Sequence, residues 1–461
     1  MTALVPSITH TGESISPASG VAQDFTNPVA YTVTAADAST QTYTVTVTIA
    51  ANTAKAITAF SFTSPAATGI INEATHEIDV TVPYGTVVTA LVPTITCTGV
   101  ILSPASGAAQ DFTNPLAYTV TAADTSTQAY SVTVTIAPPT VTTLAGSFFA
   151  GSTNGIGTAA KFDNPMGVAV DSLLNVYVAD KNNNLIRKIS PSGDVTTLAG
   201  SGAPGSANGT GTEASFSMVT GVAVDSSLNV YVVDTINNLI RKISPEGVVT
   251  TLAGSGAQGS ANGTGTEASF NWPYGVAVDS SLNVYVADRS NHIIRKISPA
   301  GVVTTLAGSG TPGSANGTGT EASFNYPSGV AVDSSGNVYV ADSYNELIRK
   351  ISPAGVVTTL AGSGTAGSAN GTGTEASFLI PSGVAVDSSG NVYVADTGNQ
   401  LIRKISPAGV VTTLAGSGTQ GSANGTGTEA SFNYPNGVAV DSSGKMVCIA
   451  DTNNNRIRKI Q

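Results

Sequence analysis

The residue types that carry most enzyme chemistry are scarce in this chain. Its 461 residues include three histidines, His10, His76 and His292, and two cysteines, Cys97 and Cys448. A metal site needs several such ligands or carboxylates close together, and a Ser-His-Asp site needs a histidine beside its nucleophile. Only His292 lies beyond residue 140. The sequence therefore predicts no catalytic residue, no metal and no cofactor, although a site of carboxylates alone stays open.

Aspartates recur at a fixed interval and offer one such carboxylate set. Each closes a GVAVD motif, 54 residues after the previous one. The six are Asp171, Asp225, Asp279, Asp333, Asp387 and Asp441. Six carboxylates around a channel would suit calcium. Aspartate before Ser-Ser-Gly is also the residue that a turn favours, since its side chain accepts backbone N–H groups. We favour the turn.

The other charged residues recur in the same way. Twelve of the 18 basic residues are Arg-Lys pairs, from Arg187-Lys188 to Arg458-Lys459. They would form a basic binding ring, or pair with the aspartate of the VYVAD motif, and we favour the ion pair. Glutamates in TEASF motifs are expected to support a threonine-capped turn. They are Glu213, Glu267, Glu321, Glu375 and Glu429.

These residues belong to a repeat of 54 residues. The string VTTLAG begins at Val141, Val195, Val249, Val303, Val357 and Val411. Each unit continues with GVAVD, VYVAD and IRKIS, whose alternating apolar residues between turn formers predict four short antiparallel strands. Six such units indicate a closed six-bladed β-propeller. Closure predicts that residues 141–146 pair as the outermost strand beside residues 456–460, since each end otherwise lacks a strand.

The repeat also resembles a known family. GVAVDSSGNVYVAD followed by N-x-x-IRKI is similar to the NHL repeat of bacterial secreted and surface proteins. The resemblance implies a propeller that serves as an interaction platform more often than as an enzyme. Propeller lyases and lactonases of related fold need clustered metal ligands at the central channel, so a single histidine disfavours them.

A second period of 87 residues occupies the N-terminal part. Residues 2–50 match residues 89–137, but residues 56–88 of the second copy have no counterpart before Thr2. The alternating strands resemble bacterial immunoglobulin-like β-sandwich domains. We therefore predict an all-β protein with a partial sandwich at 1–50, a complete sandwich at 56–137 and the propeller at 140–461. The partial sandwich is expected to contact a neighbouring chain or the second copy, or to be a truncation without consequence.

Variation among the units concentrates just before GVAVD and just after VYVAD. The first strand leaves one face of the propeller and the second returns to it, so both variable segments are expected on that face. Aromatic and basic residues there have the composition of an interface or of a sugar-stacking surface, although drift in surface loops is the alternative. The candidate ligand-binding residues are Trp272, Tyr274, Arg289, His292, Tyr326, Tyr344 and Tyr434.

Composition narrows the partners and the location. The 29 acidic residues exceed the 18 basic ones, giving a net charge of −11, which opposes nucleic-acid binding. No apolar run approaches the roughly 18 residues of a membrane span. We predict a non-enzymatic bacterial cell-surface or extracellular protein that binds protein or glycan. The alternative is a subunit of an extracellular filament or surface lattice that self-assembles through residues 1–50.

Overall fold

The computed structural model describes residues 1–461, and it confirms the all-β class. The chain forms strands, turns and 3-10 helices of three residues each. It divides into two compact units, one of Met1–Val82 with Thr86–Thr135 and one of Pro83–Gly85 with Ile136–Gln461. None of its helices has the length and apolar character that a membrane crossing requires.

The second unit is a six-bladed β-propeller, as predicted. Each blade is an antiparallel sheet of five strands rather than four. The additional strand is a two-residue segment, such as Gly209–Thr210, which pairs with the outer strand Val248–Ala253. Two residues are too few to show the alternation from which strands are recognised, so the sequence did not indicate this edge.

The strands are named here by their order from the channel outward. The inner strands are Pro165–Val170, Val219–Val224, Pro273–Val278, Pro327–Val332, Pro381–Val386 and Pro435–Val440. The second strands are Val176–Asp180, Val230–Asp234, Val284–Asp288, Val338–Asp342, Val392–Asp396 and Val447–Asp451. The third strands are Leu185–Ile189, Leu239–Ile243, Ile293–Ile297, Leu347–Ile351, Leu401–Ile405 and Arg456–Ile460.

The outer part of each blade is formed by the two remaining strands. The fourth strands are Asp194–Ala199, Val248–Ala253, Val302–Ala307, Val356–Ala361, Val410–Ala415 and Thr140–Ala145. The fifth strands are Gly155–Ile156, Gly209–Thr210, Gly263–Thr264, Gly317–Thr318, Gly371–Thr372 and Gly425–Thr426. Blades 1 to 6 are numbered by their inner strands. The upper face is the one at which inner strands begin and second strands end.

Two sets of 3-10 helices lie in the loops between the strands. One set follows the fifth strands and comprises Gly157–Ala159, Gly211–Glu213, Gly265–Glu267, Gly319–Glu321, Gly373–Glu375 and Gly427–Glu429. Thr210 and Glu213 form a reciprocal capping box, and four later blades repeat it, which confirms the role predicted for these glutamates. The second set follows the second strands at Lys181–Asn183, Arg289–Asn291, Ser343–Asn345, Thr397–Asn399 and Thr452–Asn454.

Ring closure follows the predicted pairing. Thr140–Ala145 lies in the sixth blade beside Arg456–Ile460, with Val141 opposite Ile460 and Thr143 opposite Arg458. It is the fourth strand of that blade and not the outermost, because Gly425–Thr426 pairs with its other edge. The two ends of the repeat array are thereby joined in one sheet, and neither end leaves a long unpaired edge.

Neighbouring blades pack through shared apolar clusters, and each blade is stabilised by one buried ion pair. Tyr177 of blade 1 and Phe216 of blade 2, for example, lie in the same buried cluster. In every blade the third-strand arginine meets the aspartate that ends the second strand at 2.8 to 3.0 Å, and both side chains are fully buried. This confirms the predicted ion pair for the arginine of each Arg-Lys pair. The lysine forms no such pair, and Lys188, for example, lies 5.6 Å from the ring centroid of Tyr177.

The first unit contains the two copies of the 87-residue repeat, and they differ in completeness. The second copy has two sheets, of three and five strands. Its strands are Ile57–Thr63, Ala66–Thr68, Ile70–Asn72, Glu77–Val82, Pro93–Cys97, Ile101–Ser103, Leu116–Thr121 and Thr127–Ile136. The first copy has one sheet, of Ser14–Ser16, Val29–Thr34 and Thr40–Val45. Tyr43 is 58% exposed there, whereas its equivalent Tyr130 is 1% exposed.

Candidate functional site

Six residues that precede the inner strands form a ring on the upper face, here called the rim residues. They are Asn164, Met218, Trp272, Tyr326, Ile380 and Tyr434, and all have φ between 49° and 59°. Bulky side chains rarely adopt this left-handed conformation, and a β-branched residue does so least readily. Trp272, Tyr326, Ile380 and Tyr434 are nevertheless 36 to 42% exposed. Burial of their side chains therefore does not account for this costly backbone conformation.

The backbone of each rim residue is held by the preceding blade. Its N–H donates to a side-chain acceptor located four residues after the second strand, as Trp272 does to Asn238 Oδ1 at 3.0 Å and Tyr434 to Gln400 Oε1 at 2.6 Å. The acceptor residues are Asn184, Asn238, His292, Glu346, Gln400 and Asn455. These positions therefore differ in residue type but share one role, which is to accept the backbone N–H of a rim residue.

His292 takes part in this ring of acceptors. Its Nδ1 accepts the N–H of Tyr326 at 3.1 Å, and its ring packs edge-on against that tyrosine with centroids 4.6 Å apart. The side chain is only 7% exposed, and burial together with Arg289 lowers the pKa of His292. A neutral imidazole is required for Nδ1 to accept. His292 therefore positions Tyr326 and presents little surface of its own.

A cation enclosed by tyrosines lies beside His292. The Arg289 guanidinium carbon is 5.1 Å from the ring centroid of Tyr274, 5.2 Å from that of Tyr326 and 5.9 Å from that of Tyr344. The rings of Tyr326 and Tyr344 are themselves 5.1 Å apart. Tyr344 is 54% exposed and Tyr326 is 36% exposed, so the cluster has an open side. Burial raises the pKa of Tyr274, and Arg289 partly offsets the rise.

The structure brings together most of the residues singled out from the sequence, but not all of them. Tyr274, Arg289, His292, Tyr326 and Tyr344 form the contacting cluster, here called the tyrosine–arginine cluster. Trp272 is the rim residue of blade 3, next to the blade that carries Tyr326. Tyr434 belongs to blade 6, three blades around the ring from Trp272, and lies apart from the cluster.

The upper mouth of the central channel is narrow. At its upper mouth a cavity of about 60 Å³ is lined by the inner strands of all six blades. A glycine of each inner strand packs against the next blade, and an added Cβ at Gly275 would lie 2.2 Å from the Ser328 carbonyl oxygen. The last glycine, Gly437, meets Met166 of the first blade in the same way. The mouth has room for only a few water molecules, so a ligand would lie across the face.

The aspartates that follow the inner strands use both carboxylate oxygens in hydrogen bonds within the protein. Asp171 Oδ1 accepts the N–H groups of Leu173 and Asn175, and its Oδ2 accepts from the Asn175 side chain and the Tyr177 hydroxyl, all within 3.1 Å. These bonds confirm the turn that the sequence favoured over a calcium ring. No group of three or more His, Cys, Asp or Glu side chains in the protein is placed to hold a metal ion.

Comparison with family models identifies both parts of the chain. The model for the NHL repeat matches residues 162–189, 270–297, 324–351, 378–405 and 432–460. The model described as SGBP, N-terminal matches residues 1–47 and 57–134. The chain carries NHL repeats and an SGBP N-terminal domain. The unmatched repeat is blade 2, in which VYVVD replaces VYVAD.

Individual relatives cover parts of the chain or share its fold. NHL repeat-containing protein 2 of Bos taurus is 31% identical over 333 residues, which are 64% of this chain and 46% of that protein. The chain spans less than half the length of the curated relatives that it matches. Two solved structures from Bacteroides thetaiotaomicron share the fold. One, a protein of unknown function, is 18% identical with a TM-score of 0.57 over 99% of both chains. The other, described as an auxiliary nutrient binding protein, is 15% identical with a TM-score of 0.54 over 94% of both.

Proposed function

We propose that this protein is a non-enzymatic glycan-binding protein of the bacterial cell surface. Residues 140–461 form the binding head, and residues 1–50 and 56–137 form an immunoglobulin-like stalk. The observation that carries the proposal is the tyrosine–arginine cluster with the rim residues beside it. Aromatic side chains are exposed there on rigid, strained backbone, and a flat aromatic ring with one open face suits the apolar face of a sugar.

Other findings support the same function. The rim backbone is fixed by hydrogen bonds between blades, so the aromatic groups are already arranged before a ligand arrives, which lowers the entropic cost of binding. A neighbour of the same fold over almost the whole chain is described as an auxiliary nutrient binding protein. The match to an SGBP N-terminal domain agrees with a surface location.

The proposal is tested by removing the exposed aromatic groups. The double variant Trp272→Ala/Tyr326→Ala is expected to abolish binding to immobilised polysaccharides while the protein still folds, because neither side chain lies in a strand. A modest fall in melting temperature is expected from the lost contacts of Tyr326 with His292 and Arg289. Ile380→Ala is the matched control, since Ile380 is an equally exposed rim residue two blades from Trp272. Binding that survives the double substitution, measured on a polysaccharide array, would remove this face from consideration.

A second function, self-assembly, is favoured by one observation in the first copy of the N-terminal repeat. Its sheet leaves a groove of about 430 Å³ lined by residues that include Ile15, Tyr31 and Tyr43. In the second copy, strands within residues 57–82 pack against the equivalent tyrosines, Tyr118 and Tyr130. The difference is at one of them, because Tyr130 is 1% exposed and Tyr43 is 58% exposed, whereas Tyr31 and Tyr118 are both buried. Matching strands of a second chain would fill the groove. Light scattering at high concentration tests this, because the unchanged protein is then expected to form multimers that dissociate in Tyr43→Arg. A monomeric unchanged protein, or multimers that persist in Tyr43→Arg, would contradict assembly through this sheet.

A further inference from the structure

The residue that follows each second strand joins neighbouring blades in most of the propeller. In four blades it is a small hydroxyl residue that is at most 5% exposed. Its hydroxyl donates to the carbonyl of the first residue of the next inner strand, at 2.6 to 3.0 Å. These residues, here called the latch residues, are Thr235, Ser343, Thr397 and Thr452.

Two blades carry a cation at the latch position. Lys181 replaces the hydroxyl residue in blade 1 and Arg289 replaces it in blade 3, 108 residues or two repeats later. Each replacement gives up a buried hydrogen bond between blades, which contributes about 1 kcal/mol at a typical site. Both cations stand at the upper face of a chain whose net charge is −11. Stabilisation of the contact between blades therefore does not explain why Lys181 and Arg289 occupy the latch position.

The guanidinium of Arg289 lacks the acceptors that the third-strand arginine of the same blade has. In the same blade, Arg295 donates through its two terminal nitrogens to Ser269 O, Asp288, Ala261 O and Asn262 at 2.9 to 3.0 Å. Arg289 takes part in none of the six ion pairs. The Nε atoms of Arg289 and Arg295 are both buried without a partner, so the two arginines differ at their terminal nitrogens. Tyrosine faces attract the charge of Arg289, but they leave its N–H groups without strong acceptors.

Two acidic residues that are close in sequence to cluster residues, one beside Arg289 and one two residues after Tyr344, are engaged elsewhere. Asp288 is fully buried and paired with Arg295. Glu346, in the neighbouring blade, accepts the backbone N–H of Ile380 as part of the acceptor ring. Neither forms an ion pair with Arg289. A planar guanidinium held in one orientation, with terminal N–H groups unpaired, is complementary to a carboxylate or another oxyanion.

We infer that Arg289, with Lys181 two blades away on the same face, binds an acidic group of the ligand, so that the glycan is an acidic one. This inference rests on the proposed function, because it names the class of sugar that the upper face takes. Uronic acids carry a carboxylate and sulfated sugars carry a sulfate, and both offer the oxyanion that Arg289 lacks. The tyrosine rings beside the guanidinium would then contact the body of the same sugar.

The structure supplies a matched variant for the test. Arg289→Thr introduces the latch residue of blades 2, 5 and 6, so its hydroxyl can bond the Pro327 carbonyl and the propeller is expected to fold normally. Binding of the full chain is measured against polygalacturonate, κ-carrageenan, which is sulfated but has no carboxylate, and the fully methyl-esterified form of polygalacturonate, in which the carboxylate charge is removed. Lys404→Thr, which removes one positive charge from a third strand, is the control.

The expected result is a preference for one or both acidic polymers of at least tenfold over the ester. Arg289→Thr should reduce the affinity for the acidic polymer at least tenfold, Lys181→Thr should reduce it less, and Lys404→Thr should leave it unchanged. Loss for polygalacturonate alone identifies a carboxylate, and loss for κ-carrageenan alone identifies a sulfate. Equal binding of ester and acid, or acid binding unaffected by Arg289→Thr, overturns this inference and leaves the proposed function intact. Failure to bind any acidic or neutral polysaccharide overturns both.

Discussion

On both faces of the propeller a side-chain acceptor fixes the backbone, but the two faces differ in how many residue types can occupy the acceptor position. On the lower face, Asp171 binds two backbone N–H groups, an asparagine amide and a tyrosine hydroxyl at once. On the upper face, the equivalent task is done by any side chain with one acceptor atom, such as Asn238, His292 or Gln400. A position with four simultaneous partners admits one residue type, whereas a position with one partner admits several. The upper face is therefore free to diversify while the scaffold stays constant.

The largest effect is expected where the constant network is broken. Arg349→Met removes one partner of a fully buried ion pair and leaves Asp342 without its cation. Loss of one member of such a pair costs about 3–5 kcal/mol, because the remaining charge is buried and uncompensated. Chemical denaturation of the variant measures the loss. The adjacent Lys350→Met is the control, since Lys350 is only partly buried and contacts the Tyr339 ring at 5.6 Å. Equal losses in both variants would show that the ion pair has no special role.

A smaller but still marked effect is expected at the glycines that separate the blades. A Cβ added at Gly383 would lie 2.4 Å from the Asn436 carbonyl oxygen and 2.8 Å from the Val438 nitrogen, both backbone atoms that cannot move alone. Gly383→Ala should therefore cost about 2–3 kcal/mol through overpacking at the blade 5 and blade 6 interface. Ser382→Ala, one residue earlier, is the control. A stable Gly383→Ala protein would mean that the ring of inner strands can expand.

The sequence predicted what repeats better than it predicted what varies. Six units, the closure strand and the roles of Asp171 and Arg187 follow from repeated local patterns, and the structure confirms them. The fifth strands were missed because two residues show no periodicity. The role of His292 was not foreseen, because its partner Tyr326 lies 34 residues away in another blade. The aligned positions Asn184, Asn238 and Gln400 held the signal, since all of them are acceptors.

A third and smaller loss of stability is expected when the latch hydrogen bond, which blades 1 and 3 lack, is removed from another blade. Thr397→Val removes a buried hydroxyl and leaves the Pro435 carbonyl without that donor, whose bond length is 2.6 Å. An unsatisfied buried acceptor costs about 1–2 kcal/mol. Thr365→Val, an exposed position in an outer loop of the same repeat, is the control. If the latch stabilises blade contacts as described, only Thr397→Val lowers the denaturation midpoint, and a null result would weaken the contrast between latched and cationic blades.

The smallest expected difference in stability is between a histidine and an asparagine as the acceptor of a rim N–H, and it depends on pH. The pKa of His292 is lowered in the fold, whereas an unfolded histidine titrates near 6.5. The stability contributed by neutral His292 is therefore complete above about pH 6.5 and is lost as the pH falls toward the folded pKa, because the unfolded chain takes up the proton first.

His292→Asn supplies the acceptor that Asn238 already provides for Trp272 but does not titrate. Melting followed through Trp272, the single tryptophan, at pH 8 and pH 5.5 should show a difference of less than about 1 kcal/mol between the two proteins, confined to the acid side. His10 and His76 are common to both proteins and cancel. Parallel pH profiles would contradict the assignment of His292 as a neutral acceptor.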